Sequence, residues 1–154
     1  MSPRFFQVLQ RMGDLGGSEI VSHLFDRHKN AMNRRETGAL GEKIAAEYLV
    51  KRGYVIRERN FRTREGEIDI IVEKDGTLVF VEVRAKTSKQ FGTAEESITE
   101  RKKKRLIALA EAYLSDCGEQ PTSCRIDLIA IKLDADGRLI RLNMIENATG
   151  WTMN

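Results

Sequence analysis

The stretch Gly66–Lys86 reads GEIDIIVEKDGTLVFVEVRAK. Two runs rich in isoleucine, valine, leucine and phenylalanine flank Asp75-Gly76, a dipeptide that readily takes positive φ and suits a two-residue type I′ turn, so the stretch is predicted to be a β-hairpin. With those two residues as the loop, Lys74 faces Thr77, Ile71 faces Phe80, and Asp69 faces Glu82. Side chains alternate along strands. One face is therefore expected to carry Ile68, Ile70, Val72, Val79, Val81 and Val83, and to be core. The other carries Glu67, Asp69, Ile71, Phe80, Glu82 and Arg84, apolar near the turn and ionic at the open end. Carboxylates directly opposite one another, with Cβ atoms roughly 4.5 to 5.5 Å apart, destabilise a sheet. A hard divalent cation offsets that repulsion, since Mg²⁺ is held by one or two carboxylates with water and substrate phosphate. The alternative is that Arg84, with Glu67 as its cross-strand neighbour, or Lys86 neutralises acids at an exposed hairpin end.

The chain has 154 residues, enough for one domain with a sizeable core and an additional tail. Its net charge of +3 is too mild to indicate nucleic-acid binding by itself, so the distribution of charge matters more than the total. Cys117 and Cys124 form no CxxC or His/Cys cluster, which argues against a structural zinc site, and they suggest no disulfide framework. Neither a membrane span nor a secretory signal is supported, and the expected compartment is the cytoplasm.

Residues 1–35 read as a separate N-terminal extension, partly helical or flexible. Phe5, Phe6, Val8, Leu9 and Met12 suit one helical face, and Ile20, Val21, Leu24 and Phe25 another. His23 and His28 are spaced too widely for a helical i, i+4 metal pair. Asn30 to Arg35 reads as a linker, and residues 36–154 as the main domain. There a helix is predicted to open at Thr37 or Gly38, carry Leu40, Ile44, Ala45, Tyr48 and Leu49 on its apolar stripe, and stop at Gly53. Glu42 lies off that stripe, and on spacing alone it is a solvated carboxylate.

A strand is expected from Tyr54 to Asn60, near a sheet edge, with Arg57, Arg59, Arg62 and Arg64 bringing positive charge beside the acids. After the hairpin, Thr87 to Glu96 is long enough to be a working loop, with Phe91-Gly92 in its middle. Ser97 to Glu100 matches a capping box opening a helix with Leu106, Ile107, Ala110, Tyr113 and Leu114 on its stripe. The unbroken cations Arg101 to Arg105 oppose the positive N-terminal helix dipole, so a polyanion surface and a solvated helix end are both open readings. Strands are predicted at Arg125 to Leu133, which contains Asp127, and at Arg138 to Ile145, with Trp151 as a packing anchor.

The order helix, strand, hairpin, helix, strand, strand, with paired acids amid basic residues, is a nuclease layout. Gly38-Ala39-Leu40-Gly41-Glu42, Arg59-Asn60-Phe61-Arg62, Gly66-Glu67-Ile68-Asp69, Val79-Phe80-Val81-Glu82-Val83-Arg84 and Phe91-Gly92 resemble the YraN family of predicted endonucleases. That family is similar to archaeal Holliday-junction resolvases within the PD-(D/E)xK nuclease superfamily, and the resemblance covers roughly Thr37 to Gly150. It implies an α/β, restriction-endonuclease-like core, a central mixed β-sheet with a β-hairpin, flanked by helices. It also implies Asp69, Glu82 and Glu42 as ligands for Mg²⁺ or Mn²⁺, and Asp69, Glu82, Glu42 and Arg84 as the catalytic set. Where the superfamily usually has lysine two places after the glutamate, this chain has Arg84, which stays protonated and suits phosphate positioning rather than general-base work.

The expectation is a Mg²⁺-dependent endonuclease hydrolysing phosphodiester bonds in DNA, with branched or structured DNA as the implied substrate. Arg62, Arg64, Lys86, Lys102, Lys103 and Lys104 are the expected nucleic-acid contacts. A homodimer is compatible with this reading, and no membrane partner is expected. The rival reading is a nucleic-acid-binding module of the same fold with weak or no catalysis.

Overall fold

The computed structural model describes residues 32–88, 98–118 and 120–154, and within them the hairpin forms where its sequence places it. Asp75 and Gly76 take φ of 51° and 79°, the left-handed pair that a type I′ turn requires. Strands Gly66–Lys74 and Thr77–Thr87 pair antiparallel with Lys74 opposite Thr77, Ile71 opposite Phe80, and Ile70 opposite Val81. Met32–Asn154 form one compact unit. The helical faces expected at Phe5–Met12 and Ile20–Phe25, and the loop around Phe91-Gly92, lie outside the described residues.

In chain order the elements are α1 (Arg34–Lys51), β1 (Val55–Thr63), β2 (Gly66–Lys74), β3 (Thr77–Thr87), α2 (Glu100–Asp116), β4 (Ser123–Leu133), β5 (Leu139–Ile145) and β6 (Thr152–Met153). The sheet runs β1-β2-β3-β4-β5, and β6 also pairs with β4. β1, β2 and β3 form an antiparallel meander, β3 and β4 run parallel, and β5 and β6 lie antiparallel to β4. A parallel β3–β4 pair needs a crossover connection, which contains α2. The result is the expected α/β arrangement, a central mixed sheet with a hairpin, flanked by helices.

Alternation along β3 assigns the two layers. Val79, Val81 and Val83 bury against Ala45, Ala46 and Leu49 of α1, together with Ile129, Ile131 and Leu133 of β4. Leu78 and Phe80 turn the other way, to Leu106, Leu109 and Ala110 of α2. Tyr113 seals that second core edge-on to both Phe61 (5.2 Å between centroids) and Phe80 (5.7 Å). Each such pair contributes about 0.5–1.5 kcal/mol beyond its buried area. Trp151 packs into the same core beside Phe80, as an anchor.

Both helices begin away from their expected starts. α1 opens at Arg34, because Asn33 and Glu36 form a reciprocal capping box, each side chain accepting the other's backbone N–H at 2.9–3.0 Å. Residues that read as linker by composition thus supply the cap. The far end closes as expected: Gly53 takes φ 86°, its amide donates to Val50 O, and the Tyr54 amide donates to Leu49 O, the two bonds of a Schellman motif. α2 is capped by Thr99, whose Oγ1 accepts the Lys102 amide at 3.1 Å, so Glu100 opens the helix; Ser97 of the expected capping box lies outside the described residues.

One glycine sets how closely α1 approaches the sheet. A Cβ on Gly41 would stand 2.4 Å from the Cβ of Ala85 on β3, nearer than real Cβ atoms come. Gly41→Ala is expected to destabilise the protein by about 1–3 kcal/mol through overpacking. Ala85→Gly in the same chain should recover part of that loss, as read by urea denaturation midpoints. An unchanged midpoint in Gly41→Ala would mean that the helix does not depend on this contact.

A candidate metal centre at the open end of the hairpin

β2 and β3 part at Asp69. Their pairing ends at Ile70 and Val81, and the Val83 amide donates to Asp69 Oδ2 at 2.8 Å. The side chain satisfies a main-chain donor that would otherwise be left without a partner as the strands separate. β1 adapts at the same level: its pairing with β2 passes from Arg59–Ile70 to Phe61–Ile68, and Asn60 between them takes φ 55°. This local distortion corrects the face expectation for Ile68. Ile70 packs in the core under α1, whereas Ile68 packs with Phe80 and Leu106 under α2. The register is as expected through Ile70–Val81, but Asp69 and Glu82 do not continue it as a ladder pair.

Several elements converge on this opening. α1 brings Glu42, immediately after the close-packed Gly41, and β2 brings Glu67 and Asp69. Carboxylate oxygens of Glu42, Glu67 and Asp69 lie within 4.8 Å of one another, a set that could hold a cation. β3 contributes Glu82, buried with 4% of its surface exposed. Lys102 Nζ approaches Glu82 Oε1 at 3.3 Å, and Arg84 Nε approaches the same oxygen at 3.2 Å. Among the described residues Glu82 Oε2 has no hydrogen-bond partner, and neither does Arg84 Nε, whose N–H is close to the acid but not aimed at it.

The structure distributes the predicted residues unevenly. Glu67, not Glu82, completes the tight trio with Glu42 and Asp69, and the signal for it was its i, i+2 spacing from Asp69 on β2. Glu67 pairs with Arg62, its opposite residue on β1, at 2.6 Å, so the expected Arg84–Glu67 pair gives way to Arg84–Glu82. Lys102 corrects the reading of Arg101 to Arg105 as uniform surface charge. It sits at i, i+4, i+7 with Leu106 and Leu109 and so extends the buried stripe of α2. Lys103 pairs with Glu100 at 2.9 Å, while Arg64 and Lys104 are exposed and Lys86 is half-buried. Asp127 belongs elsewhere: fully buried, it accepts from Arg125 Nε and from the Asn147 amide, tying the segment after β5 to the sheet.

Burial raises the carboxyl pKa values of Glu42, Asp69 and Glu82. Glu82 rises from 4.5 to about 7, chiefly by desolvation and secondly by the negative charge of Asp69, against the opposing pull of Lys102 and Arg84. Asp69 is raised by burial, partly offset by the Val83 amide. Glu42 is raised by burial and then by Asp69 and Glu67. The resident cations therefore leave the cluster short of positive charge. An all-oxygen donor set with a buried, partnerless carboxylate oxygen fits a hard divalent cation such as Mg²⁺ or Mn²⁺.

These shifts have a definite sign. The folded state holds the Glu82 proton more tightly than the unfolded chain, so between pH 4.5 and about 7 it binds more protons, and stability falls as pH rises through that window. The loss from this group is on the order of 3 kcal/mol. Urea denaturation in EDTA across the window should show that decline, with a shallower slope in Glu82→Gln. A rising or flat wild-type profile, or an undiminished slope in the variant, would contradict the electrostatic picture.

The chain matches the family described as Uncharacterised protein family UPF0102 over residues 41–131, a span holding Glu42, Glu67, Asp69, Glu82 and Lys102. It is 49% identical over 115 residues to a UPF0102 protein of Pelotomaculum thermopropionicum, covering 75% of this chain and 96% of that one. A UPF0102 protein of Symbiobacterium thermophilum is 45% identical over 114 residues, covering 74% of this chain and 96% of the relative. One from Dehalococcoides mccartyi is 46% identical over 120 residues, covering 78% and 98%. Among the described residues no helix is long and apolar enough to cross a membrane. By the extent of these matches, the chain belongs to the UPF0102 family, the YraN-like proteins whose motifs it carries.

Proposed function

We propose that this protein is a Mg²⁺- or Mn²⁺-dependent endonuclease that hydrolyses phosphodiester bonds in DNA. The observation that carries the proposal is Glu82 Oε2, a buried acid oxygen without a hydrogen-bond partner among the described residues, in electrostatic contact with Asp69 of the three-carboxylate cluster. Asp69, Glu82 and Glu42 would hold the cation, with Glu67 near enough to assist. When bound, it supplies Lewis acidity toward a phosphoryl oxygen and makes water a better nucleophile at neutral pH. Asp69 stays fixed by the Val83 amide, and Arg84, two residues beyond Glu82 on the same strand face, offers a permanent positive charge to a phosphate.

Basic residues at both rims, the exposed Arg62 and Arg64 of β1 and its turn and the half-buried Lys103 and exposed Lys104 on α2, suit contacts with backbone phosphates, which position a nucleic acid without reading its sequence. Similarity of the YraN family to Holliday-junction resolvases favours branched or structured DNA. A second reading, a nucleic-acid-binding module without catalysis, is favoured by the ion pairs that Glu82 already makes with Arg84 and Lys102. Cleavage assays with Mg²⁺ and Mn²⁺ on four-way junctions, flaps, duplexes, single strands and RNA separate the two.

Asp69→Asn and Glu82→Gln are each expected to abolish metal-dependent cleavage while the fold persists, since an amide keeps the shape but binds a hard cation weakly. Retained cleavage in either would remove that residue from the site. Replacing Lys103 and Lys104 by alanine should weaken binding and lower the salt slope of log K by roughly one for each phosphate no longer neutralised. An unchanged slope would leave that face without a role in binding.

A further inference from the structure

We propose that Lys102 is a substrate-facing cation of this site, holding Glu82 Oε1 with one N–H and presenting its other donors to a backbone phosphate. The inference rests on the nuclease reading above and names a residue that acts in it. Four observations lead to it. First, the side chain of Lys102 is 22% exposed although it lies in a run of basic residues, because it continues the inward stripe of α2. Second, it sits in the first turn of that helix, where the dipole disfavours a cation, so helix stability gives no reason for a lysine there.

Third, Arg84 and Lys102 both crowd Oε1 while Oε2 has no partner among the described residues. Two cations serving only to neutralise Glu82 would be better placed one on each oxygen. Their shared position instead leaves Oε2 open and gathers positive charge on one side of the acid. Fourth, an ammonium carries three donors and no acceptor, and the Glu82 contact occupies one of them. The remaining donors lie beside the carboxylates, where a phosphodiester entering the site would place its non-bridging oxygens. Charge-assisted bonds of that kind are roughly twice as strong as neutral ones. Lys51, exposed at the last residue of α1 and about two and a half turns from Glu42, provides the control.

The test uses the full chain carrying Lys102→Met, Lys102→Arg or Lys51→Met. Mn²⁺ binding without nucleic acid is measured by electron paramagnetic resonance at mildly alkaline pH, and single-turnover cleavage on the best substrate found for the wild type. Lys102→Met should bind Mn²⁺ as well as the wild type or up to about threefold tighter, because a neighbouring positive charge is removed. Its cleavage rate should fall about a hundredfold or more, with Lys102→Arg intermediate and Lys51→Met unchanged. Loss of Mn²⁺ affinity in step with cleavage would overturn the proposal, since Lys102 would then only hold a ligand in place. Cleavage within about threefold of wild type would overturn it too. If the wild type cleaves nothing, the nuclease reading fails, and affinity for a four-way junction with Mn²⁺ decides instead. About a tenfold loss confined to Lys102→Met supports the phosphate contact, and equal losses in Lys102→Met and Lys51→Met refute it.

Discussion

The hydrogen bond from the Val83 amide to Asp69 Oδ2 holds the rest of the site in place. A regular antiparallel ladder would continue past Ile70–Val81 and close the end of the hairpin. By accepting the amide with a side chain, Asp69 keeps a main-chain donor satisfied while β2 and β3 separate, so the opening avoids the cost of a buried unpaired N–H. The left-handed turn of Asn60 lets β1 follow the distortion, and the reversal of Ile68 lets the second core fill beneath it. Into the space thus made come an acid from α1, two from β2 and one from β3.

That concentration of carboxylates is held against its own repulsion. Burying an ion costs several kcal/mol even after local relaxation. Arg84 and Lys102 offset part of this for Glu82, and Arg62 does the same for Glu67. Raised pKa values at Glu42, Asp69 and Glu82 show that the offset is incomplete. The two apolar cores on opposite sheet faces supply the stability that the site consumes, and the close approach at Gly41 brings Glu42 within range of Asp69. A site that is electrostatically poor by itself, built on rigid strands and helices, is the usual mark of function placed above stability.

The hairpin was legible in the sequence because β-branched alternation and Asp75-Gly76 point to the same turn and register. Where the ladder would stop was not, since periodicity carries no sign that Asp69 replaces a main-chain acceptor, and strict alternation therefore put Ile68 on the wrong face. Glu42 lies off the apolar stripe of its helix, so only the family resemblance singled it out; its position depends on a packing contact between Gly41 and Ala85 that links distant parts of the chain. Lys102 was hidden by its neighbours. A run of five cations has no obvious inward member until its spacing to Leu106 and Leu109 is taken into account. Asn33 and Glu36 did carry a capping-box signature, masked by the polar composition around them.

The central claim is that these carboxylates hold a divalent cation, and anomalous X-ray scattering from crystals soaked in Mn²⁺ tests it most directly. The account predicts a peak at the open end of the hairpin, bonded to Asp69 and to Glu82 Oε2, that disappears in Asp69→Asn. Glu82 well ordered on Lys102 and Arg84 with no peak beside Asp69, at Mn²⁺ concentrations that saturate carboxylate sites, would contradict it and leave the cluster as a structural ion-pair network.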